Sequence, residues 1–273
     1  ETPRSPRKAA KLKERIATLK DEMSRLEGLK ARMAQVPDGQ VSLTDPDARS
    51  MASQGKGTGI VGYNVQTAVE TKNHLIVAHE VTNTGSDRHQ LTRMAEQARE
   101  ALGTTELTAL ADRGYYGGPE IKACADAGIT PMVPKIVTSQ HHAAGRFDKS
   151  DFRYDAKTDT FRCPAGERAI RRCTTVENGM TLIKYWSSAC PKCALRDRCT
   201  TGGNRRITRW EHEAVLDDMQ RRLERRPKAM QLRRSTVEHP FGTIKSWMGA
   251  THFLCRRLPR VSAEMSLHVL AYN

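Results

Sequence analysis

Residues 40–133 show a succession of segment types that few folds accommodate. Apolar, aromatic or β-branched side chains occupy every second position from Val61 to Val69, which predicts a half-buried strand. A turn at 71–74 and a strand at 75–81 follow it, and a short strand at 40–44 precedes it. The predicted order beyond them is helix 88–102, strand 107–111, helix 118–127 and strand 129–133. This pattern of a meander followed by alternating helices and strands predicts an α/β fold.

Asp112 directly follows the predicted strand at 107–111. A helix joins this strand to the one at 129–133, so the two strands are expected to be parallel. Open α/β sheets bind their ligands at the carboxyl ends of such strands. Asp112 is therefore a candidate functional carboxylate.

Asp45 is a second candidate, because it directly follows the predicted strand at 40–44. Asp47 is its local rival, since Pro46 between them lets either side chain point inward. Asp87 precedes the predicted helix at 88–102 and is interpreted as a cap of that helix, not as a metal ligand.

The segment 233–249 contributes a third carboxylate. Arg234, Glu238 and Lys245 stand at i, i+4 and i+11, which places them close to one face of a helix. A plain alternative is an exposed Arg–Glu pair worth about 0.3–0.5 kcal/mol.

Four short motifs occur in a fixed order along the chain. They are Thr-Asp-Pro-Asp-Ala-Arg at 44–49, Gly-Tyr-Asn-Val-Gln-Thr-Ala at 62–68, Ala-Asp-Arg-Gly-Tyr at 111–115 and Val-Glu-His-Pro-Phe-Gly-Thr-Ile-Lys at 237–245. In these motifs the chain resembles the DDE-type transposases of bacterial insertion sequences, from about residue 40 to the C-terminus. Many relatives carry a Tyr three residues before Arg234, where this sequence has Gln231.

The resemblance implies a ribonuclease H-like core with a mixed five-stranded sheet and flanking helices. It implies that Asp45, Asp112 and Glu238 bind two Mg²⁺ (or Mn²⁺) ions for DNA cleavage and strand transfer. Carboxylates suit this chemistry because two ions about 3.5–4 Å apart must be held around the scissile phosphate. The implied partner is double-stranded DNA, at the element ends and the target, bound by a homodimer.

The charge of the chain agrees with a polyanionic partner. The formal net charge is +14, and it is concentrated in residues 1–36 and 203–260, whereas residues 37–135 are net acidic. Basic flanks around an acidic region suit a polyanion next to carboxylates that collect divalent cations. No apolar run approaches the roughly 20 residues of a membrane span, so we expect a soluble protein of the bacterial cytoplasm that joins the nucleoid when it binds DNA.

Basic residues near Glu238 are the candidates for DNA contacts. Arg234 and Lys245 are expected to contact phosphate or to position Glu238. Further candidates for contacts to the DNA backbone are Arg209, Arg221, Arg222, Arg225 and Arg226, for each of which a solvated surface position is the alternative. Trp210 and Trp247 are interpreted as core residues, with stacking on an unpaired base as the alternative.

Five of the seven cysteines fall within residues 163–199. Cys190 and Cys193 have the spacing of a chelating pair, with Cys199 and the more distant Cys163 as partners. Structural zinc is the first interpretation. The spacing also resembles the iron-sulfur site of some nucleases, and unligated thiols are the third alternative.

The sequence divides into four predicted regions. Residues 1–36 form a helical arm with a coiled-coil-like seam, 37–135 the first part of the catalytic core, 136–205 a Cys-containing insertion of mostly β structure, and 206–273 C-terminal helices that complete the core. Both ends suggest a piece of a longer protein. Two alternatives to an active transposase are a catalytically inactive DNA-binding remnant and a metal-stapled interaction module.

Overall fold

The computed structural model describes residues 6–36, 38–51, 59–136 and 143–273. The chain divides into two compact units, one made of Glu1–Asp87 with Ser235–Asn273 and the other of Arg88–Arg234. Apolar side chains of the first unit form one buried cluster, and those of the second unit form two.

Helices and strands alternate irregularly along the described residues. Up to the insertion they are α1 (Pro6–Gln35), β1 (Arg49–Met51), β2 (Ile60–Gly62), β3 (Asn64–Val69), β4 (Ile76–Thr82), α2 (Leu91–Leu102), β5 (Leu107–Leu110), α3 (Gly118–Asp126) and β6 (Ile129–Met132). Within the insertion they are β7 (Arg153–Asp155), β8 (Thr160–Arg162), β9 (Arg168–Glu177) and β10 (Met180–Trp186). After it they are β11 (Ile207–Trp210), α4 (Glu213–Arg225), α5 (Ala229–Gly242), a π-helical turn (Thr243–Trp247) and α6 (Leu258–Tyr272). The protein therefore has the mixed α/β character that the sequence predicts.

The first unit packs one helix on a β-hairpin. Strands β3 and β4 pair antiparallel, as do β1 and β2. Val261, Met265 and Val269 recur every four residues along α6, and they bury against Ile76 and Val81 of β4. This packing joins the C-terminal helix to a hairpin almost 200 residues earlier in the chain.

Three predictions in the first unit need correction. Residues 40–44 form no strand, and β1 begins only at Arg49, so Asp45 lies in a turn before the strand and not at a strand end. The predicted continuous strand 61–69 divides into β2 and β3 at Tyr63. Asp87 does not cap the following helix, which begins at Leu91 after Gln90; its carboxylate accepts hydrogen bonds from Asn64 and Gln66 instead, at 2.7 and 2.8 Å.

The second unit contains the predicted strand-helix-strand element. Strands β5 and β6 are parallel, as predicted, and α3 connects them. Leu91 and Ala95 of α2 bury with Ile121 of α3 and Ile129 of β6. Gly103 ends α2 in the left-handed region (φ 59°), where its N–H bonds the carbonyl groups of Arg99 and Glu100.

The described residues contain a five-stranded sheet, of which β7–β10 lie in the insertion and β11 follows it. It is antiparallel throughout, in the order β11-β10-β9-β8-β7. Phe161 and Tyr185 lie in its core together with Ile207. The mostly β character of the insertion is thus confirmed. Before the insertion, the described strands pair two by two, with β1–β4 in the first unit and β5–β6 in the second.

The basic region after the insertion is only partly helical. The predicted helical region 206–273 is wrong at its start, because residues 207–210 form the edge strand β11 and α4 begins at Glu213. Helix α5 runs through Pro240 to Gly242 and changes to a π-helical turn at Thr243. Pro240 lacks the N–H of an ordinary helical residue, which agrees with a change of helical period just beyond it.

Helix α1 matches the predicted arm. Its seam consists of Leu12, Ile16, Leu19, Met23, Leu26 and Met33, which are 46–61% exposed. Neither α1 nor any other helix in the described ranges is long and apolar enough to span a bilayer.

Candidate functional site

Asp45 is buried in the first unit, with 8% of its surface exposed. The Tyr63 hydroxyl donates to its Oδ2 at 2.7 Å, and the Asp47 amide donates to Oδ1 at 3.2 Å. The Arg257 amide, at the start of α6, bonds both oxygens at 3.1–3.2 Å. A carboxylate offers about four lone-pair sites, and these donors make four hydrogen bonds, two on each oxygen. A metal ion would therefore have to replace at least one of them.

These hydrogen bonds also determine the charge of Asp45. Burial raises the pKa of the carboxyl group, but the bonds from Tyr63, Arg257 and Asp47 outweigh it and hold that pKa below its ordinary value. The carboxylate is therefore charged at neutral pH. Burial and the nearby Asp45 charge raise the pKa of Tyr63, so this side chain keeps the proton that it donates.

Asp47 is also hydrogen-bonded to the start of α6. Its Oδ2 accepts a hydrogen bond from the amide of Leu258, the first residue of α6, at 2.9 Å. Negative charge at the N-terminus of a helix is stabilising. Asp45 and Asp47 thus attach the turn before β1 to the start of α6, and Asp47 stays the local rival of Asp45.

Arg257, which donates to Asp45, has a strained backbone (φ 71°, ψ 138°). A non-glycine residue in this region costs about 1–3 kcal/mol, whereas glycine adopts it easily. We expect Arg257→Gly to leave the free energy of unfolding unchanged or to raise it by about 1 kcal/mol. Arg260→Gly, at an exposed position of α6, should instead lower it by about 1 kcal/mol. Urea denaturation of the two variants measures the difference between their free energies of unfolding. An equal decrease in both variants would show that the backbone of Arg257 is not strained.

Asp112 lies two residues beyond the end of β5, in the second unit, because the strand ends one residue earlier than the sequence predicts. Its Oδ1 accepts the Gly114 amide at 2.8 Å, and its Oδ2 accepts Nη2 of Arg233 at 3.2 Å. Its side chain is 45% exposed. The sequence reasoning selected Arg234 and missed Arg233, because helical spacing alone does not show which of two adjacent arginines turns toward a distant strand.

Glu238 and its neighbours lie where α5 ends. Glu238 and Arg234 are exposed on α5, one helical turn apart. Lys245 lies in the π-helical turn, 5.7 Å from the centre of the Phe241 ring. The change of helical period alters the predicted alignment of Lys245 with Glu238, since π-helical bonds join i to i+5.

The three candidate carboxylates are distributed over both units. Asp45 and Glu238 belong to the first unit and Asp112 to the second. Within the described residues, no group of three or more His, Cys, Asp or Glu side chains is arranged to hold a metal ion. The chemistry of the donor set nevertheless suits Mg²⁺, which prefers oxygen ligands. That these carboxylates bind metal ions together stays a prediction.

Comparison with known protein families identifies the chain. The model of a transposase DDE domain matches residues 32–273. This chain belongs to the DDE transposase family. No curated protein and no solved structure matches it. DDE transposases are in general polynucleotidyl transferases that bind DNA and use divalent metal ions, so the family explains why carboxylates occur in a basic chain.

The arginines that the sequence suggests as DNA contacts of this DDE transposase differ in exposure. Arg209 is buried, bonds Asp217 at 2.8 Å and lies 3.7 Å from the Tyr154 ring centre. This burial removes Arg209 from the candidates for DNA contact, because an internal ion pair already uses its guanidinium. Arg221 pairs with Asp218, Arg222 is half-buried, and Arg225 is exposed.

Trp210 and Trp247 also differ in exposure. Trp210 is buried in β11, as predicted. Trp247, which was also interpreted as a core residue, is 88% exposed in the π-helical turn. An exposed indole next to Lys245 is available for a partner.

Four cysteines of the insertion line one pocket. The pocket encloses about 450 Å³, part of it open to solvent. We call it the four-cysteine pocket, after Cys163, Cys190, Cys193 and Cys199. All four are free thiols, and they do not stand in a ligating arrangement among the described residues.

Proposed function

We propose that this chain is an active DDE transposase that cleaves the ends of its insertion sequence and joins them to target DNA. The observation that carries the proposal is the position of Asp112. It is an accessible carboxylate at the carboxyl end of a parallel strand, in a chain that matches the DDE domain over residues 32–273. Ligand-binding groups of α/β folds occur at such strand ends.

We infer that Asp45, Asp112 and Glu238 are the catalytic carboxylates of a ribonuclease H-like core. In this proposal the pairs β3–β4 and β5–β6 are parts of the expected five-stranded sheet. Regions 37–135 and 206–273 form the core, and 136–205 is inserted. When bound, two Mg²⁺ (or Mn²⁺) ions would activate the attacking oxygen and stabilise the leaving oxygen.

The chain's own residues prepare the carboxylates for this role. Tyr63 and the Arg257 amide fix the orientation of Asp45 and keep it ionised. The Gly114 amide and Arg233 orient Asp112. Glu238 is exposed on α5 and accessible to a ligand. Hydrogen bonds to metal-binding carboxylates typically tune both their orientation and their affinity.

We further propose double-stranded DNA as the partner of a homodimer. Residues 203–260 contain 14 Lys and Arg against 6 Asp and Glu, and Arg225, Arg226 and Arg234 are exposed there. Such residues bind phosphates without reading the sequence. Trp247 could then stack on an unpaired base beside them.

A cleavage assay tests the proposed activity. The substrate is a plasmid that carries the ends of the insertion sequence, and the reaction contains Mg²⁺, Mn²⁺ or a chelator. We expect cut or joined products with either metal and none with the chelator, because the carboxylates act only through bound ions. DNA binding without any cleavage in both metals would favour the inactive remnant.

A further inference from the structure

The long connection between β10 and β11 needs an explanation that the transposase chemistry does not supply. Residues 187–206 contain no regular element except one short turn, Cys190–Lys192. Loops longer than about 12–15 residues without secondary structure are uncommon in compact domains. Three of the four cysteines that line the pocket lie in this loop, and the fourth lies in the turn after β8.

The local backbone around the cysteines resembles that of a chelating turn. The Cys193 amide bonds the Cys190 carbonyl at 3.2 Å, which closes the turn between the two thiols. The Leu195 amide then donates to the Cys193 sulfur at 3.4 Å. This bond fixes the direction of the Cys193 side chain.

The turn at Cys163 is equally tight. The Cys163 amide bonds the Glu167 carbonyl at 2.9 Å, and the Gly166 amide returns to the Cys163 carbonyl at 2.9 Å. Gly166 has φ 84°, a conformation that favours glycine. This turn presents Cys163 to the same pocket as the loop cysteines.

A second observation, independent of the cysteine turns, is the environment of Arg205. It lines the pocket and is only 9% exposed, yet its Nε has no hydrogen-bond acceptor among the described residues. Its guanidinium lies 5.5 Å from the centre of the Phe152 ring. A buried charge is costly unless it is paired. The carboxylates of Asp148 and Asp151 act on this charge, but neither accepts a hydrogen bond from the Arg205 Nε.

The sulfur atoms are close enough to influence one another. Burial raises the pKa of Cys199, the positive charge of Arg205 opposes this, and the sulfurs of Cys190, Cys163 and Cys193 add to the rise. The four thiols and Arg205 thus lie around one pocket.

We propose that the four-cysteine pocket binds one zinc ion through its four sulfur atoms, and that Arg205 is the buried positive charge beside this centre. The thiols are not yet in ligating positions, so each side chain must turn about its Cα–Cβ bond between staggered rotamers. Each thiol releases its proton to solvent as its sulfur binds. Zn²⁺ with four thiolates carries a net charge of −2, so a zinc-bound sulfur would supply the acceptor that the Arg205 Nε lacks.

Zinc would explain the ordered loop. Structural Zn²⁺ with four thiolates is tetrahedral, with Zn–S bonds of about 2.3 Å. Such an ion joins the loop at 187–206 to the turn after β8, and its binding energy becomes folding energy of this region. The inference is independent of the proposed catalytic carboxylates.

Metal analysis of the purified chain tests the proposal, with Cys173→Ser as the matched control because Cys173 is exposed on β9. We expect about one zinc per chain in the wild type and in Cys173→Ser, and background amounts in Cys190→Ser and Cys193→Ser. Arg205→Gln should bind zinc about 10- to 100-fold more weakly, as with other groups next to metal ligands.

Three results would overturn the zinc site. They are a wild type without zinc, full zinc in both Cys190→Ser and Cys193→Ser, and iron with sulfide in place of zinc. Thiol alkylation of the zinc-loaded wild type covers the case in which the variants do not fold. Cys173 and Cys255 are exposed internal controls and should react at once, whereas the four pocket cysteines should react only after a chelator is added. Equal reaction with and without the chelator, or a disulfide in the pocket, would also contradict the proposal.

Discussion

Glu238→Gln is expected to abolish DNA cleavage while DNA binding is kept. The substitution preserves the shape of the side chain and removes the negative charge that is proposed to hold a metal ion. Cleavage should fall by about 100-fold or more, since loss of groups that merely support metal ligands already costs about 10- to 100-fold. Binding should persist because most affinity for the DNA backbone comes from Lys and Arg. Plasmid cleavage in Mg²⁺ and a binding assay on the same DNA measure the two quantities.

Glu224→Gln is the matched control for this prediction. Glu224 is an exposed glutamate of the basic helix α4, so the same chemical change occurs outside the proposed site and should leave cleavage intact. Full activity of Glu238→Gln would refute its assignment as a ligand.

Asp112→Asn and Asp45→Asn extend the test to the other two carboxylates. We expect each variant to lose cleavage activity as Glu238→Gln does. The triple variant should lose little more activity than a single variant, because the effects of residues that act as a unit are not additive. Asp45→Asn should also lower the free energy of unfolding, since Asp45 is buried and bonds the start of α6. Circular dichroism and urea denaturation separate that loss from the catalytic one.

DNA binding is expected to weaken steeply with salt. Each phosphate contact adds roughly 0.9 to the slope of log affinity against log salt, and 6–10 contacts cost about 10³- to 10⁵-fold between 50 and 200 mM. Replacing both exposed residues Arg225 and Arg226 with Gln should reduce the slope by about 2, whatever the DNA sequence. Fluorescence anisotropy over a salt series measures it.

Arg209→Gln is the control for the salt prediction, because Arg209 belongs to the same basic segment but is buried against Tyr154 and paired with Asp217. It should leave the slope unchanged and lower the free energy of unfolding. An affinity that stays flat from about 50 to 200 mM would contradict a phosphate-binding role for the basic region.

Local sequence patterns were sufficient for the elements themselves. Apolar residues that recur in alternating steps of four and three predicted helix α1. The strand-helix-strand order predicted the parallel pair β5–β6, with Asp112 beyond the carboxyl end of β5. These features depend on side-chain period and on the short connection between neighbouring segments. The ordered motifs likewise identified the family that matches residues 32–273.

Interactions between distant residues could not be read from the same patterns. Asp45 was assigned to a strand end, yet it is held by the Arg257 amide, 212 residues away. Arg209 and Arg225 look alike in a basic sequence, but Asp217 and Tyr154 bury the first of them. Spacing suggested a chelating pair of cysteines, and only the fold put all four on one pocket beside Arg205.

The sequence by itself thus determined the order of the elements, the family and the candidate carboxylates of this protein. Only the tertiary structure decided which arginines are buried, what holds Asp45 and Asp112, and that β7–β10 of the insertion pair with β11 in one five-stranded sheet. The physical reason is that periodicity reports which face of a segment avoids water. The partner of a charged side chain, in contrast, depends on segments that folding brings together from far along the chain, and their identity has no local signature.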